Sequence, residues 1–598
     1  MIGTPLSMFS NITAAGDQPA VFTGMCGAES GWVPVTACSP MIYVSQVETQ
    51  RRTQSRDLPP VLPAPDVNTS TGGDGDEAIF GAMDEELRRN MAGLSLPGEA
   101  KPYYLSYVLT RYRQWQIAGS LGGIFYSTVT PWQSSGGVQV MLGNYQHNSD
   151  IQYMGQVAPV QLPAELDGYN IRRGFWETSD LMYRFSLQVM ARKIAHLKSN
   201  PLPPAEAALP DMQQLPAVTK MVERPRPFEI DLVALEGMVK ELSALFKDYK
   251  ELFNSNVMLV AVEQDNFRLT SENVRLKFPL GLVGLTVSAS VRTTDGSTVS
   301  DVLAISSLEN PVDLPSLEEL KKKVTDFADN LMELKETPMI EEYYTGPVLF
   351  EEGAASRLFT DNLLSPGRLL ALRTMTPARG MLDEQLGRKI MDSRLTVKNY
   401  TTLVEYDGTP LFGHYEIDGD GVVPAAELTL VENGVFKRML NGRVPTLKAP
   451  ESTGSARFMI SPDNPVAIVS PGTIHVQTSK SVAPEKLKKA LLKAAKEADL
   501  EYAYIVRRIG GEASAVYKVN VKDGKETRVR VNNLSAPELT KLMDLKGISS
   551  DERVMNYFPN GVPASLIYPS AIIVGDVEIN RTTPKIEEVP VLKHPLQR

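Results

Sequence analysis

The run from Tyr343 to Leu440 sets the strongest limit on what this chain can fold into. It opens YYTGPVLFEEGAASRLFTDNLLSP, in which a short apolar strand, Pro347 to Phe350, passes without a linker into a helix from Glu352 to Leu364. Such a junction needs a sheet to hold the strand and a core to bury the helix. Strand ends and helix N-termini then face a common cleft, where enzymes often place reactive side chains. The run closes FGHYEIDGDGVVPAAELTLVENGVFKRML. Asn433-Gly434 supplies the positive φ of a tight turn, so the flanking apolar residues predict a β-hairpin.

At 598 residues the chain exceeds what one hydrophobic core organises. We read an N-terminal extension over 1–75, an α+β domain over 76–310, a connecting helix within 311–342, a mainly β domain over 343–590 and a tail over 591–598. A hydrophobic fraction of 42% with 22% charged residues is that of a water-soluble globular protein. The net charge of −10 argues against nucleic acid as a general partner, since binding to phosphate needs a surplus of Lys and Arg. There is no run of 18 apolar residues, so no membrane span is expected. MIGTPLSMFSNITAAGDQPAVF lacks the basic and apolar regions of a signal peptide. The chain therefore reads as cytoplasmic, or as periplasmic or exported if a signal has been removed or the start misassigned. Cys26 and Cys38 either form a single bridge or stay free.

Residues 1–75 carry four prolines between 58 and 65 and the run NTSTGGDGD, the composition of a linker. A helix is expected near Glu77 to Met91, then three or four meandering antiparallel strands in KPYYLSYVLTRYRQWQIAGSLGGIFYSTVTPWQSSGGVQVMLGNYQ. Tyr103, Tyr104, Tyr107, Tyr112 and Trp115 read as packing between sheet and helix, because the basic groove that would accompany base stacking is missing. A helix follows from about Thr178 to Leu197, capped by Ser179 or Asp180, and PLPPAEAALP reads as an extended connection. Asp231 to Phe253 carries a helical apolar stripe, and strands are expected at Val257 to Val262 and through Arg268 to Ser307, with a turn at Asp295-Gly296. Ser316-Leu317-Glu318-Glu319 predicts a capping box opening a helix, and Pro484 to Ala498 predicts another with a Lys-rich outer face.

GPVLFEEGAAS, LGRKI, PLFGHYEIDGDGV and LVENGVFKRML, taken in that order, resemble the C-terminal half of the TldD/PmbA proteins, the modulators of DNA gyrase related to metallopeptidases. The resemblance extends back over GLVGLTVSASVRTTDG and forward to YPSAIIVGDVEI, and covers roughly residues 78 to 590. It implies an α+β layer domain followed by a mainly β domain, a chamber that encloses unfolded peptide, and a homodimer or a heterodimer with a TldD-like subunit. Active members of that family carry HExxxH at the strand-to-helix junction, with two His ligands for zinc, an intervening Glu as base and a late Cys as third ligand. The corresponding run here is Glu351, Glu352, Gly353, Ala354, Ala355, Ser356, and both cysteines lie far upstream. In this respect the chain is similar to the PmbA type, and no zinc or other cofactor is expected.

Two sets of residues remain as candidates for chemistry. Glu351 and Glu352 occupy the position of the lost motif, as a general base or as two acids in a first helical turn. His414, Glu416 and Asp418 would share one face if their stretch were a strand, and would then suit a divalent ion, whereas Asp418-Gly-Asp-Gly also has the composition of a tight turn. GxSxG, P-loop, HExxH and Rossmann patterns are missing from the sequence. The chain is thus expected to be a peptide-binding or partner subunit in proteolysis or peptide maturation. The alternative is a peptidase with an unconventional site near Glu351, Glu352 and His414.

Overall fold

The computed structural model describes residues 73–581, apart from 152, 154, 225–226, 309–312, 376–380, 461–465, 511–512 and 532–533. Cys26, Cys38 and nearly all of the expected N-terminal extension lie outside the described residues.

The first half is built on strands of unusual length. In chain order it runs α1 (Gly73–Gly93), β1 (Pro102–Ser120), β2 (Gly123–Val129), β3 (Gln133–Leu142), β4 (Ala158–Gln161), α2 (Gly168–Ser199), α3 (Pro204–Ala207), β5 (Val218–Met221), α4 (Leu232–Ala244), β6 (Leu252–Thr270), β7 (Val274–Arg292), β8 (Thr298–Leu308) and α5 (Leu317–Glu336). The strands form one sheet in the order β4-β3-β1-β6-β7-β5, with β2 beside β1 and β8 beside β7. Period-two alternation gives this sheet two different faces. On one face Leu105, Tyr107 and Leu109 of β1 pack with α1 and α2. Further along the same strand and face, Trp115 and Ile117 pack with α4 and α5. The opposite face carries polar residues, including Thr110, Gln264, Asn266 and Arg268, and all of them are buried. What buries them is the second half of the chain: Arg268 Nη1 donates to Gly419 O at 2.8 Å, and the rings of Phe278 and Phe458 lie 5.5 Å apart.

That second half runs β9 (Tyr344–Glu351), α6 (Glu352–Leu363), β10 (Leu395–Tyr400), β11 (Glu405–Tyr406), β12 (Thr409–Pro410), β13 (Glu427–Glu432), β14 (Val435–Phe436), β15 (Ala456–Phe458), β16 (Ala467–Val469), β17 (Thr473–Thr478), α7 (Pro484–Glu497), β18 (Tyr502–Arg508), β19 (Ala515–Asn520), β20 (Glu526–Val529), β21 (Leu545–Ile548), β22 (Glu552–Tyr557), β23 (Ala564–Pro569) and β24 (Ala571–Ile579). Two six-stranded sheets result, β14-β13-β10-β17-β23-β22 and β20-β19-β18-β9-β24-β21. Ala354, Ala355, Leu358, Phe359 and Leu363 of α6 join Val348 and Phe350 of one sheet and Val397 and Ile474 of the other in a single core. α7 covers the outer face of the β9 sheet through Leu487 and Leu491. The whole is an α+β fold, with a helix-covered antiparallel sheet followed by a mainly β half.

Several expectations hold in detail. The Asn433-Gly434 hairpin forms, with φ of 49° and 78°. The capping box at Ser316 forms with both of its bonds, and the helix expected from Pro484 ends within one residue of its expected end. Others need correction. α2 begins at Gly168, because Asp167 accepts from Asn170 N and caps it, while Ser179 is buried mid-helix. The expected extended connection contains the one-turn helix α3, which Pro204 opens because a first helical residue needs no N–H partner. The helix from Asp231 stops at Ala244, and Phe253, expected at its end, lies in β6. Residues 414–418 are not a strand, so alternation does not apply to them.

Candidate functional site

Glu351 ends β9 and Glu352 opens α6, so the junction read from the sequence is present. It is tight: Glu352 has φ of 51°, a conformation that costs a non-glycine residue about 1 kcal/mol. The bond from Glu352 N to Ser570 O, at 3.0 Å, holds it there against β24's leading turn. The two acids have different surroundings. Glu351 Oε2 accepts from Arg507 Nε at 3.1 Å, and Arg507 Nη2 continues to Glu526 Oε2 at 2.9 Å. Lys488 Nζ reaches the other Glu526 oxygen at 2.6 Å, and the Arg507 guanidinium lies over the Tyr517 ring. Burial disfavours the Arg507 charge, but the bonds to Glu351 and Glu526 outweigh it and hold the guanidinium pKa above its ordinary value. Glu352, by contrast, is exposed to solvent. Ser356, one turn on, is buried and donates to Gly353 O at 2.8 Å.

Sequence reading missed a cluster beside this junction. Ser549 Oγ donates to Asp551 Oδ1, and Ser570 Oγ donates to Ser549 Oγ at 2.9 Å. Burial works against the Asp551 charge, and the two hydroxyls outweigh it and lower its pKa. Among the described residues no imidazole is bonded to these serines, and a serine nucleophile needs such a base. A second missed group is His475, whose Nε2 lies 3.0 Å from Glu552 Oε2, the same oxygen that accepts from the Tyr406 hydroxyl. Ser549 and Asp551 share one connection and meet Ser570 from the next but one, 21 residues after Ser549, whereas Tyr406, His475 and Glu552 come from three separate strands, so neither cluster had a local sequence signal.

The remaining candidates separate in space by exposure. His414 and Glu416 are exposed, and Glu416 pairs with Lys220 at 2.5 Å. Asp418 is buried in a tight turn: Oδ1 accepts from Asp420 N at 3.0 Å and Val422 N at 2.8 Å, and Oδ2 from Ala456 N at 3.0 Å. Burial and the neighbouring Asp420 push its carboxyl up to about 7 against those three donors. Asp420 in turn pairs with Arg268 at 3.0 Å, across the seam between the two halves. The turn alternative for Asp418-Gly-Asp-Gly is therefore the one the fold adopts. Among the described residues no group of three or more His, Cys, Asp or Glu is placed to hold a metal ion, and no helix is long and apolar enough to cross a membrane.

Residues 344–581 match the family model of the PmbA/TldA metallopeptidase C-terminal domain. A protein named "Metalloprotease" from Methanothermobacter thermautotrophicus is 40% identical over 91 residues, which is 15% of this chain and 18% of that relative. Among solved structures, TldE from Thermococcus kodakarensis superposes with a TM-score of 0.52 at 14% identity, over 83% of this chain and 99% of that one. A protein from Thermotoga maritima, described as a candidate modulator of a DNA gyrase, superposes with a TM-score of 0.50 at 14% identity, over 83% of this chain and 100% of that one. At such identities the structural matches establish the fold. Residues 344–581 are thus similar to the PmbA/TldA metallopeptidase C-terminal domain, and the chain shares its fold with TldE.

Proposed function

We propose that this protein is a peptide-binding or partner subunit of the TldD/PmbA kind, acting in proteolysis or peptide maturation without a zinc ion of its own. The observation that carries this reading is the bond from Arg507 to Glu351 at 3.1 Å. A hydrolytic zinc needs about three protein donors and an open position for water. At the three motif positions the chain offers a carboxylate paired with a guanidinium, an exposed carboxylate, and a hydroxyl bonded within its own turn. These donors do not fit zinc: an ion there would have to displace a cation that Glu526 also anchors. Peptide binding is supported by the open groove along the seam between the two halves, since main-chain bonds to an unfolded peptide need no particular side chains. Its assembly is then a homodimer, or a heterodimer in which a relative with intact zinc ligands does the chemistry.

Metal content and cleavage test this together. The purified chain, loaded with zinc and dialysed, should hold far less than one ion per chain, and should leave an unfolded peptide intact with or without chelator. Adding a zinc-bearing TldD-type relative should bring chelator-sensitive cleavage. Stoichiometric zinc with chelator-sensitive cleavage by this chain alone would sink the reading.

A further inference from the structure

A groove of about 830 Å³ follows the seam between the two halves and shares no lining residue with the cluster at the start of α6. One wall is the segment 212–218 that leads from α3 to β5, and the other is formed by 421–423 with Glu451 and Ser452. β5 lies at an edge of its sheet, with β7 as its one neighbour. The main chain of the segment before β5 is bonded along one side, while the Gln213 side chain crosses to the other wall, donating to Pro450 O and accepting from Ser452 N at 3.2 Å. Gln213 N donates to Arg443 O at 2.9 Å, Gln213 O accepts from Arg443 Nη2 at 2.6 Å, and Leu215 N donates to Glu272 Oε1 at 3.1 Å. In extended chain, successive residues turn their peptide groups to opposite sides. The N–H and C=O of Gln214 and the C=O of Pro216 are thus directed away from that row, and none of the three has a hydrogen-bond partner among the described residues. Both residues line the groove. Its surface is mainly aliphatic, from Leu215, Val218, Val422 and Val423, and its one charged lining residue, Glu451, is exposed without an ion pair among the described residues.

We infer that this groove takes an extended peptide as an added strand. Gln214 and Pro216 bond its main chain at alternate positions, the aliphatic wall receives its apolar side chains, and Glu451 selects a basic residue. The inference rests on the peptide-binding reading above and adds to it a site and a class of peptide. Edge pairing of this kind draws affinity from main-chain bonds and selectivity from alternate side chains.

The test uses the full chain and a fluorescent peptide rich in Val and Leu with one Lys, followed by anisotropy. Gln214→Pro removes the outward N–H and leaves the inward row intact, whereas Gln214→Ala keeps the N–H. We expect Gln214→Pro to weaken binding about tenfold, the loss of one well-made bond. Gln214→Ala should bind as the wild type does. Glu451→Lys should weaken the Lys peptide and favour its Glu counterpart, and a peptide N-methylated at alternate residues should bind the unaltered protein poorly. Wild-type affinity in both Gln214→Pro and Glu451→Lys, with no effect of N-methylation, would overturn the groove while leaving peptide binding itself standing. No anisotropy change with the wild-type chain would remove both readings.

Discussion

Arg507 owes its chemistry to neighbours distant in sequence, and Asp418 to burial and to Asp420 two residues on. For Arg507, the replacement Arg507→Met leaves Glu351 and Glu526 without their shared cation in a half-buried position. We expect a loss of about 1 kcal/mol in urea denaturation, since solvent still screens part of the pair. Asp418 offers a test by pH. In an unfolded chain an Asp carboxyl titrates near 4, and in this fold burial and Asp420 push it up to about 7. Between those values the native state holds a proton that the unfolded chain has released, so this group's contribution to stability falls as pH rises from about 4 to about 7. Asp418→Asn cannot titrate. The stability of the wild type relative to Asp418→Asn should therefore decline across that window, and parallel pH profiles would refute the assignment. Asp392, by contrast, is held down at about 2: burial opposes its charge, and bonds from Arg394 and from Leu545 N outweigh burial. Its stabilising contribution is lost only as pH falls below about 4.

Turns and caps decide the elements. Gly434 has φ of 78°, and a Cβ there would lie 2.4 Å from Met391 O and 2.8 Å from Asp392 O. Gly434→Ala combines backbone strain with a collision against main chain that cannot move cheaply, so we expect a loss of about 3 kcal/mol by denaturation. Ser316→Ala removes one half of a capping box on an exposed helix end and should cost about 1 kcal/mol by the same measurement. α2 illustrates the opposite case. Ser179 has the chemistry of a cap, yet its hydroxyl lies 2.8 Å from the Tyr107 hydroxyl in the buried layer between helix and sheet. The cap that operates, Asp167, is followed by Gly-Tyr-Asn, which reads as loop. Helix propensity is a weak prior, and burial of Ile171 and Phe175 against β1 and β3 outweighs it.

At the scale of the whole molecule, the two halves are joined by buried ions rather than by apolar contact alone. Arg443 Nη1 donates to Tyr104 at 3.0 Å, and Nη2 bonds Glu272 at 2.8 Å with both partners almost fully buried. Removing one member of such a pair leaves an uncompensated charge, so Arg443→Met should cost about 3 kcal/mol. Limited proteolysis should then cut the segment 204–217 faster than in the wild type, and an unchanged cleavage rate would count against its role as a clamp. The strand-to-helix junction at Glu351, the Asn433-Gly434 hairpin, the helices from Ser316 and Pro484, and the α+β order of the two halves were all legible in the residues alone. These are local matters, settled by caps, turn residues and apolar period within a few residues of one another. Packing across the fold was needed for Arg507 to meet Glu351 across 156 residues and Arg443 to meet Glu272 across 171, and for 414–418 to run as irregular chain into the turn at Asp418 instead of forming a strand. Which side chains meet at such separations depends on how sheets and helices close on one another, and nothing in the local pattern of residues encodes that closure.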